Sequence, residues 1–300
     1  MTLLSANTAR NRTRYIELSL LVVASVTVWW SSIGLTLGLA LSNDAYTHIL
    51  LILPVSAALI YLEVKQSTLT ACPREWIGAA LLAVAMGLRV LAAWNLWHVS
   101  ASASLSLSMF ALVLWWIGSV VVCFGWQVFL SLLFPLCFLF LVVPLPASVV
   151  DSATVFLQHQ SAIASEILFR AARVPVVRHG IILSIPDLYI EVARECSSIR
   201  SSTMLIVITL ILAHLFLNSW WRKTLLVVIA IPLSVAKNAV RIFTIAELGT
   251  RVDPAYLTGR LHHNGGFVFL GLALVVDVGL LWVLRRGEFP STSPTIVQEI

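Results

Sequence analysis

The sequence predicts an all-α polytopic membrane protein with about eight transmembrane helices. Hydrophobic residues make up 59% of its 300 residues and charged residues only 11%, whereas an average soluble domain has roughly 25% charged residues. A soluble globule of this length could not bury so many apolar side chains and still cover its surface. The composition also excludes a disordered chain, which combines low hydrophobicity with high net charge.

Eight apolar runs are long enough to cross a bilayer, which takes roughly 17–25 residues. They are predicted at 17–41, 46–63, 77–97, 104–124, 127–146, 199–217, 223–246 and 265–284. The second is short and the gap between the fourth and fifth is tight, so the pattern allows seven to nine spans. We interpret residues 1–300 as one integral-membrane domain.

Basic residues between the spans predict the orientation. If eight spans alternate, one side receives Arg10, Arg12, Arg14, Lys65, Arg74, Arg222, Lys223, Arg285 and Arg286. The positive-inside rule makes that side the cytoplasm, so both termini are predicted to be cytoplasmic, with 287–300 as a loose tail. Because the net charge of +5 is scattered between apolar segments, membrane lipid is an expected partner and nucleic acid is not.

The segment 147–198 is predicted to be an extracytoplasmic insertion with some order of its own. Residues 149–173 have apolar positions at helical spacing, which predicts an amphipathic helix lying on the membrane. Residues 174–193 are rich in Val and Ile and are interrupted at His179-Gly180 and at Ile185-Pro186-Asp187. That pattern predicts a small β-hairpin.

Cys196 follows the predicted hairpin at the outer mouth of the sixth span. The N-terminal end of a helix favours the thiolate, and so does Arg200, one helical turn further on. A catalytic nucleophile and an unremarkable interfacial thiol both remain open at this point. External arginines such as Arg194 are either tolerated in a long translocated segment or form a site for an acidic group.

Two further polar groups lie near the outer ends of spans. Lys237, Asn238 and Arg241 share one face of the seventh span, where a functional site competes with simple snorkelling to the headgroups. His262 and His263 precede the eighth span and are either a general acid–base or solvated loop residues. No carboxylate or second Cys keeps zinc-ligand spacing, and the sequence has no phosphate-binding glycine loop, so we predict neither a metal nor a cofactor.

Five short segments, in this order, carry a resemblance: 44–48 (DAYTH), 144–146 (PLP), 190–201 (IEVARECSSIRS), 238–242 (NAVRI) and 262–267 (HHNGGF). They resemble the Asp-Tyr-Ser-His, Pro-x-Pro, Cys-Ser-Gly-Ile-Arg, Asn-x-x-Arg-Ile and His-x-x-x-Gly-aromatic boxes of the exosortase/archaeosortase family. Each box is weak alone, and five in order make a specific signal. Ser198 departs from the family by standing where Gly is usual.

The resemblance implies a membrane cysteine transpeptidase whose catalytic Cys, Arg and His correspond to Cys196, Arg241 and His262. A His at the third place favours the bacterial exosortase branch, although His263 competes for the role. The implied partners are exported proteins with a C-terminal tripartite sorting signal, made of a short motif such as Pro-Glu-Pro, a membrane helix and a basic cluster. An unidentified acceptor nucleophile completes the reaction, and the location is the inner membrane with a periplasmic active site.

We interpret four further residues of the same boxes as substrate-binding: Arg194, Arg200, Asn238 and His263. Two other functions compete with a transpeptidase. A small transporter would use Lys237 and Arg241 to line a pathway, but it should place its site at the bilayer midplane between repeated halves, and no repeat is visible. A non-catalytic assembly subunit is the other alternative.

Overall fold

The computed structural model describes residues 2–66, 75–94, 100–186, 188–192, 199–258 and 260–287. The chain divides into two compact units, Met1–Asp151 and Ser152–Ile300. Among the described residues, six helices are long and apolar enough to cross a membrane, or up to eight if each of two bent helix pairs is one span. The prediction of an α-helical multi-pass membrane protein is therefore confirmed.

The first unit is built around one buried helix. Its helices are α1 (Thr2–Val28), α2 (Trp30–Ser42), α3 (Ile49–Gln66), α4 (Glu75–Trp94), α5 (Ala101–Phe124), α6 (Trp126–Ser131) and α7 (Leu133–Phe138). Helix α5 is central and packs against α1, α2 and α4. Ser100 begins it by accepting a hydrogen bond from the Ala103 amide at 3.3 Å, and Gly125 ends it with a φ of 94° that an L side chain rarely adopts.

The first predicted span is bent by 74° at Trp29, between α1 and α2. Trp29 is fully buried, and its indole N–H donates to the Ser108 carbonyl at 2.8 Å. The Ser32 and Ser108 hydroxyls are also 2.8 Å apart. A kink is therefore fixed by contacts to α5, which lies far away in the sequence.

The fifth apolar run, predicted at 127–146, is not one straight helix. It is divided into α6, α7 and a 3-10 turn at Leu139–Val142. Pro135 explains the first break, because a proline ring clashes with the carbonyl four residues earlier, and α6 ends at Ser131. The broken run still packs in the core: Leu132 and Leu136 lie in one buried cluster with α5.

The second unit contains most of α8 (Ala147–Ala171), three strands and the last four helices. The strands are β1 (Val177–His179), β2 (Ile182–Ile185) and β3 (Leu188–Glu191), and the helices are α9 (Ile199–Phe216), α10 (Trp220–Arg251), α11 (Ala255–Thr258) and α12 (Arg260–Arg286). Helices α9, α10 and α12 all contact one another. The strands form an antiparallel sheet in the order β1-β2-β3.

The small sheet confirms the predicted hairpin and adds a third strand to it. Gly180 has a φ of 65° at the turn between β1 and β2, where only glycine adopts such a value without strain. The inner face of the sheet packs on helices through a buried cluster of Leu183, Ile185 and Val192 with Phe169 of α8, and Ile242 and Ala246 of α10. The sheet is thereby fixed to α10 beyond Arg241.

Helix α8 has the predicted amphipathic character in an inverted form. Its buried side chains are mostly polar: Thr154, Gln158, Ser161, Ser165, with Ala162 and Phe169. Its exposed side chains include the large apolar residues Val149, Val155, Phe156, Ile163 and Ile167. A helix with a polar inner face and an apolar outer face is expected where lipid surrounds a polar site.

Candidate active site

The predicted site residues differ in how much of them the structure describes. Arg194 and Cys196 lie outside the described residues. His262 and His263 belong to α12, whose backbone is described, but their side chains lie outside the description. Arg200, Asn238 and Arg241 are described with their side chains. The geometry of the site therefore rests on described residues further along the same segments, such as Ser201 after Cys196 and Phe267 after the His pair.

A buried lysine joins α10 to the first turn of α9. The Lys237 ammonium donates a hydrogen bond to the Ser201 hydroxyl, and both side chains are buried. Ser201 is the last residue of the box that contains Cys196, and Lys237 directly precedes the box that contains Arg241. The start of α9 and the middle of α10 are consequently in contact through polar groups.

An arginine and an aromatic ring join α9 to α12. The Arg200 guanidinium carbon lies 5.7 Å from the centre of the Phe267 ring, within the range of a cation–π contact. Phe267 is the aromatic residue that closes the box beginning at His262. Residues of three boxes that are separated by about forty and twenty residues along the chain thus come together where the start of α9 packs against the middle of α10 and against α12.

Helix α8 adds a set of polar contacts that the sequence analysis missed. The Asn238 amide donates to the Ser161 hydroxyl at 2.8 Å, and the Gln158 amide donates to the Val192 carbonyl at 2.8 Å. A sequence signal for them exists: Thr154, Gln158, Ser161 and Ser165 recur at helical spacing within a largely apolar helix. Such a polar stripe predicts an inward-facing surface.

The basic residues at the start of α10 and the end of α12 give a reference point for the position of the site along α10. Arg222 donates to the Leu284 carbonyl at 2.9 Å, and the Arg286 guanidinium stacks on the Trp282 ring at 3.4 Å, which is typical of a headgroup interface. With a rise of 1.5 Å per residue, Lys237 lies about 22 Å and Arg241 about 28 Å from Arg222 along the helix. These lengths are comparable with the thickness of the hydrocarbon core of a bilayer, about 30 Å.

Two of the described side chains at the site are buried cations. Lys237 and Arg241 are only 6% and 7% exposed and lie one helical turn apart on α10. Buried cations are costly unless an anion or hydrogen-bond acceptors balance them. An arginine in such a place presents a rigid fork of donors, which suits a carboxylate or a developing oxyanion.

Two of the five boxes meet in the first unit. Tyr46 lies in a 3-10 turn at Asp44–Tyr46, and its hydroxyl donates to the Leu145 carbonyl at 2.9 Å. The Ser106 hydroxyl of α5 donates to the neighbouring Pro144 carbonyl at 2.6 Å. The Asp-Ala-Tyr and Pro-Leu-Pro segments, about a hundred residues apart, are therefore in direct contact.

Among the residues whose side chains the structure describes, which leaves out His262 and His263, no three His, Cys, Asp or Glu side chains are grouped so that they could hold a metal ion. The polar groups that do converge there are hydroxyls, amides and cations.

Fold and site together define a multi-pass membrane protein with buried polar and cationic side chains where α9, α10 and α12 pack together. The chain belongs to the transmembrane exosortase family, whose model matches residues 14–279. The predicted family is therefore confirmed. No curated protein and no solved structure matches the chain. Family membership supports a membrane transpeptidase-type role, and so an enzyme of the transpeptidase or protease type.

Proposed function

We propose that this protein is a cysteine transpeptidase that cleaves C-terminal sorting signals from exported proteins at the outer face of the cell membrane. The substrates carry a short motif of the Pro-Glu-Pro kind, a membrane helix and a basic cluster. The catalytic residues are Cys196, Arg241 and His262. Both termini lie in the cytoplasm, and the site faces the periplasm.

The first half of the reaction forms a thioester. The Cys196 thiolate attacks the peptide carbonyl next to the sorting motif, and Arg241 stabilises the oxyanion of the tetrahedral intermediate. His262 gives a proton to the leaving amine as the peptide C–N bond breaks and the C–S bond remains. The membrane helix and the basic cluster of the substrate are released with the amine.

The second half transfers the exported protein to an acceptor. An amine of the acceptor, or water, attacks the thioester carbonyl and loses its proton to His262. The C–S bond then breaks, and Cys196 returns as the thiolate. The acceptor amine yields a new amide bond, whereas water yields a carboxylic acid.

The observation that carries the proposal is the pair of contacts that the start of α9 makes with the middle of α10 and with α12. Ser201 contacts Lys237 and Arg200 contacts Phe267, so residues near Cys196 in the sequence contact residues near Arg241 and near His262. Because Arg241 is only 7% exposed, it is suited to act in a desolvated site, where an oxyanion donor is worth most.

Two described residues support peptide binding beside the nucleophile. Asn238 is 1% exposed, and among the described residues its Oδ1 atom has no hydrogen-bond partner. A buried acceptor of that kind is stabilised by a backbone N–H of a bound peptide. Arg200 is exposed at the start of α9, where it is suited to an acidic side chain of the sorting motif. Arg194 and His263 complete the proposed substrate-binding set.

Replacement of Cys196 tests the proposal. The protein is co-expressed with an exported reporter that ends in a Pro-Glu-Pro motif, a membrane helix and a basic cluster, and the reporter's size and membrane anchorage are measured. We expect Cys196→Ala to leave the reporter at full length while the enzyme still inserts in the membrane. Normal maturation of the reporter in this variant would refute cysteine catalysis.

A second cysteine gives the matched control. Cys137 is exposed and lies on α7 of the first unit, so Cys137→Ala should leave maturation unchanged. A membrane-impermeant thiol reagent added to intact cells should label Cys196 and stop maturation. Labelling only after the membrane is opened would contradict the proposed orientation.

A further inference from the structure

The residues on both sides of segment 193–198 are held by buried polar side chains. Val192 precedes the segment, and its carbonyl accepts a hydrogen bond from the Gln158 amide at 2.8 Å. Its own amide donates to the Ile181 carbonyl at 3.0 Å. Val192 is completely buried and Gln158 is 6% exposed, so the chain enters the segment from a point with both backbone groups occupied.

The other side of the segment is held from α10. Helix α9 begins at Ile199, and Ser201 in its first turn accepts a hydrogen bond from the Lys237 ammonium. Both side chains are at least nine-tenths buried. A buried ammonium that loses its acceptor pays a full desolvation cost, so this contact favours one placement of the α9 N-terminus.

The two contacts come from two helices that are hydrogen-bonded to each other. Gln158 and Ser161 are three residues apart on α8, and Lys237 and Asn238 are adjacent on α10. The bond from the Asn238 amide to the Ser161 hydroxyl, 2.8 Å long, ties the two helices together at this level. The residues on both sides of the segment are thus held by the same pair of helices, α8 and α10.

We propose that Gln158 and Lys237 are positioning residues: by holding Val192 and Ser201, the described residues on either side of Cys196, they are required for its full reactivity. The inference rests on the proposed function, because it takes Cys196 as the nucleophile. The contacts of both residues are to the protein itself, so we assign them no part in substrate binding. Fixing both ends of a six-residue segment lowers the entropy lost on reaching the reactive geometry.

The energetic importance of such positioning follows from the tolerance of catalysis. A displacement of about 1 Å at a reacting group can cost roughly 10²-fold in rate. Supporting residues must hold a nucleophile within about 0.5 Å. Loss of a single buried hydrogen bond at either end of the segment is enough to allow a displacement of that size.

The first test replaces the Gln158 donor by an acceptor of the same shape. Gln158→Glu should lower reporter maturation by roughly 10–100-fold at neutral pH, because a carboxylate repels the Val192 carbonyl. A protonated carboxyl donates again, so maturation by Gln158→Glu should recover relative to Gln158→Met as the pH falls. A constant ratio of the two variants across pH would overturn the role of Gln158.

Gln160 provides the matched control on the same helix. It is partly exposed two residues further on, so Gln160→Glu adds the same charge to α8 without affecting the Val192 carbonyl. We expect maturation within about twofold of the original protein at every pH, since surface substitutions usually change little. An equal loss in both variants would show that charge on α8, and not the bond to Val192, is responsible.

The second test asks whether Lys237 acts through Ser201. Lys237→Met and Ser201→Ala are compared singly and together in the maturation assay. If the contact positions α9, the double variant should lose no more than Lys237→Met alone, because residues that share one interaction are not additive. Fully additive losses would overturn the role of the pair.

A third readout separates this inference from the proposed function. In a protein whose cysteines at 72, 123 and 137 are replaced by Ala, the rate of Cys196 alkylation by N-ethylmaleimide is measured against pH. Gln158→Met should slow alkylation at pH 7 by roughly threefold to tenfold, because the thiolate is the reactive form and its formation depends on the surroundings in which the sulfur is held. An unchanged profile refutes positioning even if Cys196 is catalytic, whereas slower alkylation supports it even if Cys196→Ala still matures the reporter.

Discussion

Gly78 of α4 lies so close to Val122 of α5 that no side chain fits between them. A Cβ atom added to Gly78 would lie 2.4 Å from Val122 Cγ2, 2.6 Å from the Val122 backbone nitrogen and 3.0 Å from the Gly118 carbonyl oxygen. From the other side, a Cβ on Gly118 would lie 3.1 Å from Leu81 Cβ. Without a hydrophobic driving force between helices in lipid, such close backbone packing is what holds a pair together.

We predict that Gly78→Ala destabilises the first unit. The added methyl group meets backbone atoms that cannot move aside, and overpacking of this kind typically costs about 1–3 kcal/mol. The measurement is the temperature at which the purified protein loses its folded state in detergent. Gly87→Ala on the same helix is the control, because a Cβ there meets nothing within 4 Å. Equal midpoints for the two variants would contradict this account of α4 and α5.

The sequence predicted the elements whose cause is local. Long apolar runs gave the spans, and the His179-Gly180 pair gave the turn that Gly180 makes with its positive φ. The kink at Trp29 was not predictable, because its cause is a hydrogen bond to Ser108, 79 residues away. The division of the fifth run carried a local signal in Pro135, which the prediction of one span at 127–146 did not use.

The site was predictable to the extent that it consists of motifs. The resemblance named Arg200, Asn238 and Arg241, and the structure gives Arg200 a contact with Phe267 and Asn238 one with Ser161. Gln158 was missed although the polar stripe of α8 carried a signal that this face points inward. The partner of its amide, the Val192 carbonyl, could not be predicted from the sequence, because that contact depends on the tertiary fold.

We predict that Glu166→Gln loosens the small sheet. The Glu166 carboxylate accepts from Arg178 of β1 at 2.7 Å and pairs with Arg170 at 2.6 Å. A charge-assisted bond is roughly twice as strong as a neutral one, so the isosteric amide should let β1 and β2 open more often. Hydrogen exchange of their amides measures the effect.

Glu247 supplies the control for this change. Its carboxylate pairs with Arg251 at 2.8 Å within a single helix, and an exposed pair of that kind contributes little. Glu247→Gln should leave the exchange of the β1 and β2 amides as it was. Faster exchange in both variants would mean that net charge, rather than the contact from α8 to the sheet, governs the order of the strands.

We predict that Phe267→Leu reduces reporter maturation by about twofold to fivefold. The ring then no longer faces the Arg200 guanidinium, and a cation–π contact at an exposed site is worth about 0.5–1 kcal/mol. Phe267→Trp should retain maturation, since Trp is the strongest partner for a cation. The adjacent Val268→Ala serves as control, because Val268 is 64% and Phe267 68% exposed. A similar loss in Val268→Ala would point to helix α12 in general instead of the contact.

We predict that another cation replaces Arg241 only in part. Arg241→Gln should lower maturation by roughly 10²–10³-fold, the usual cost of losing an oxyanion donor. Arg241→Lys keeps the charge but loses the planar fork, so its maturation should lie between that of Arg241→Gln and the original protein. Rates of reporter cleavage at saturating reporter separate this effect from weaker substrate binding.

A second arginine of α10 controls for the loss of charge. Arg251 is largely exposed, and its partner is Glu247. It lies ten residues beyond Arg241, about three helical turns further from Arg222. Arg251→Gln should therefore mature the reporter at the original rate. Full activity of Arg241→Lys would show that only the positive charge of Arg241 matters, and not its planar fork of donors. An equal loss in Arg251→Gln and Arg241→Gln would contradict a specific role of Arg241. It would assign the effect to the positive potential to which both arginines contribute.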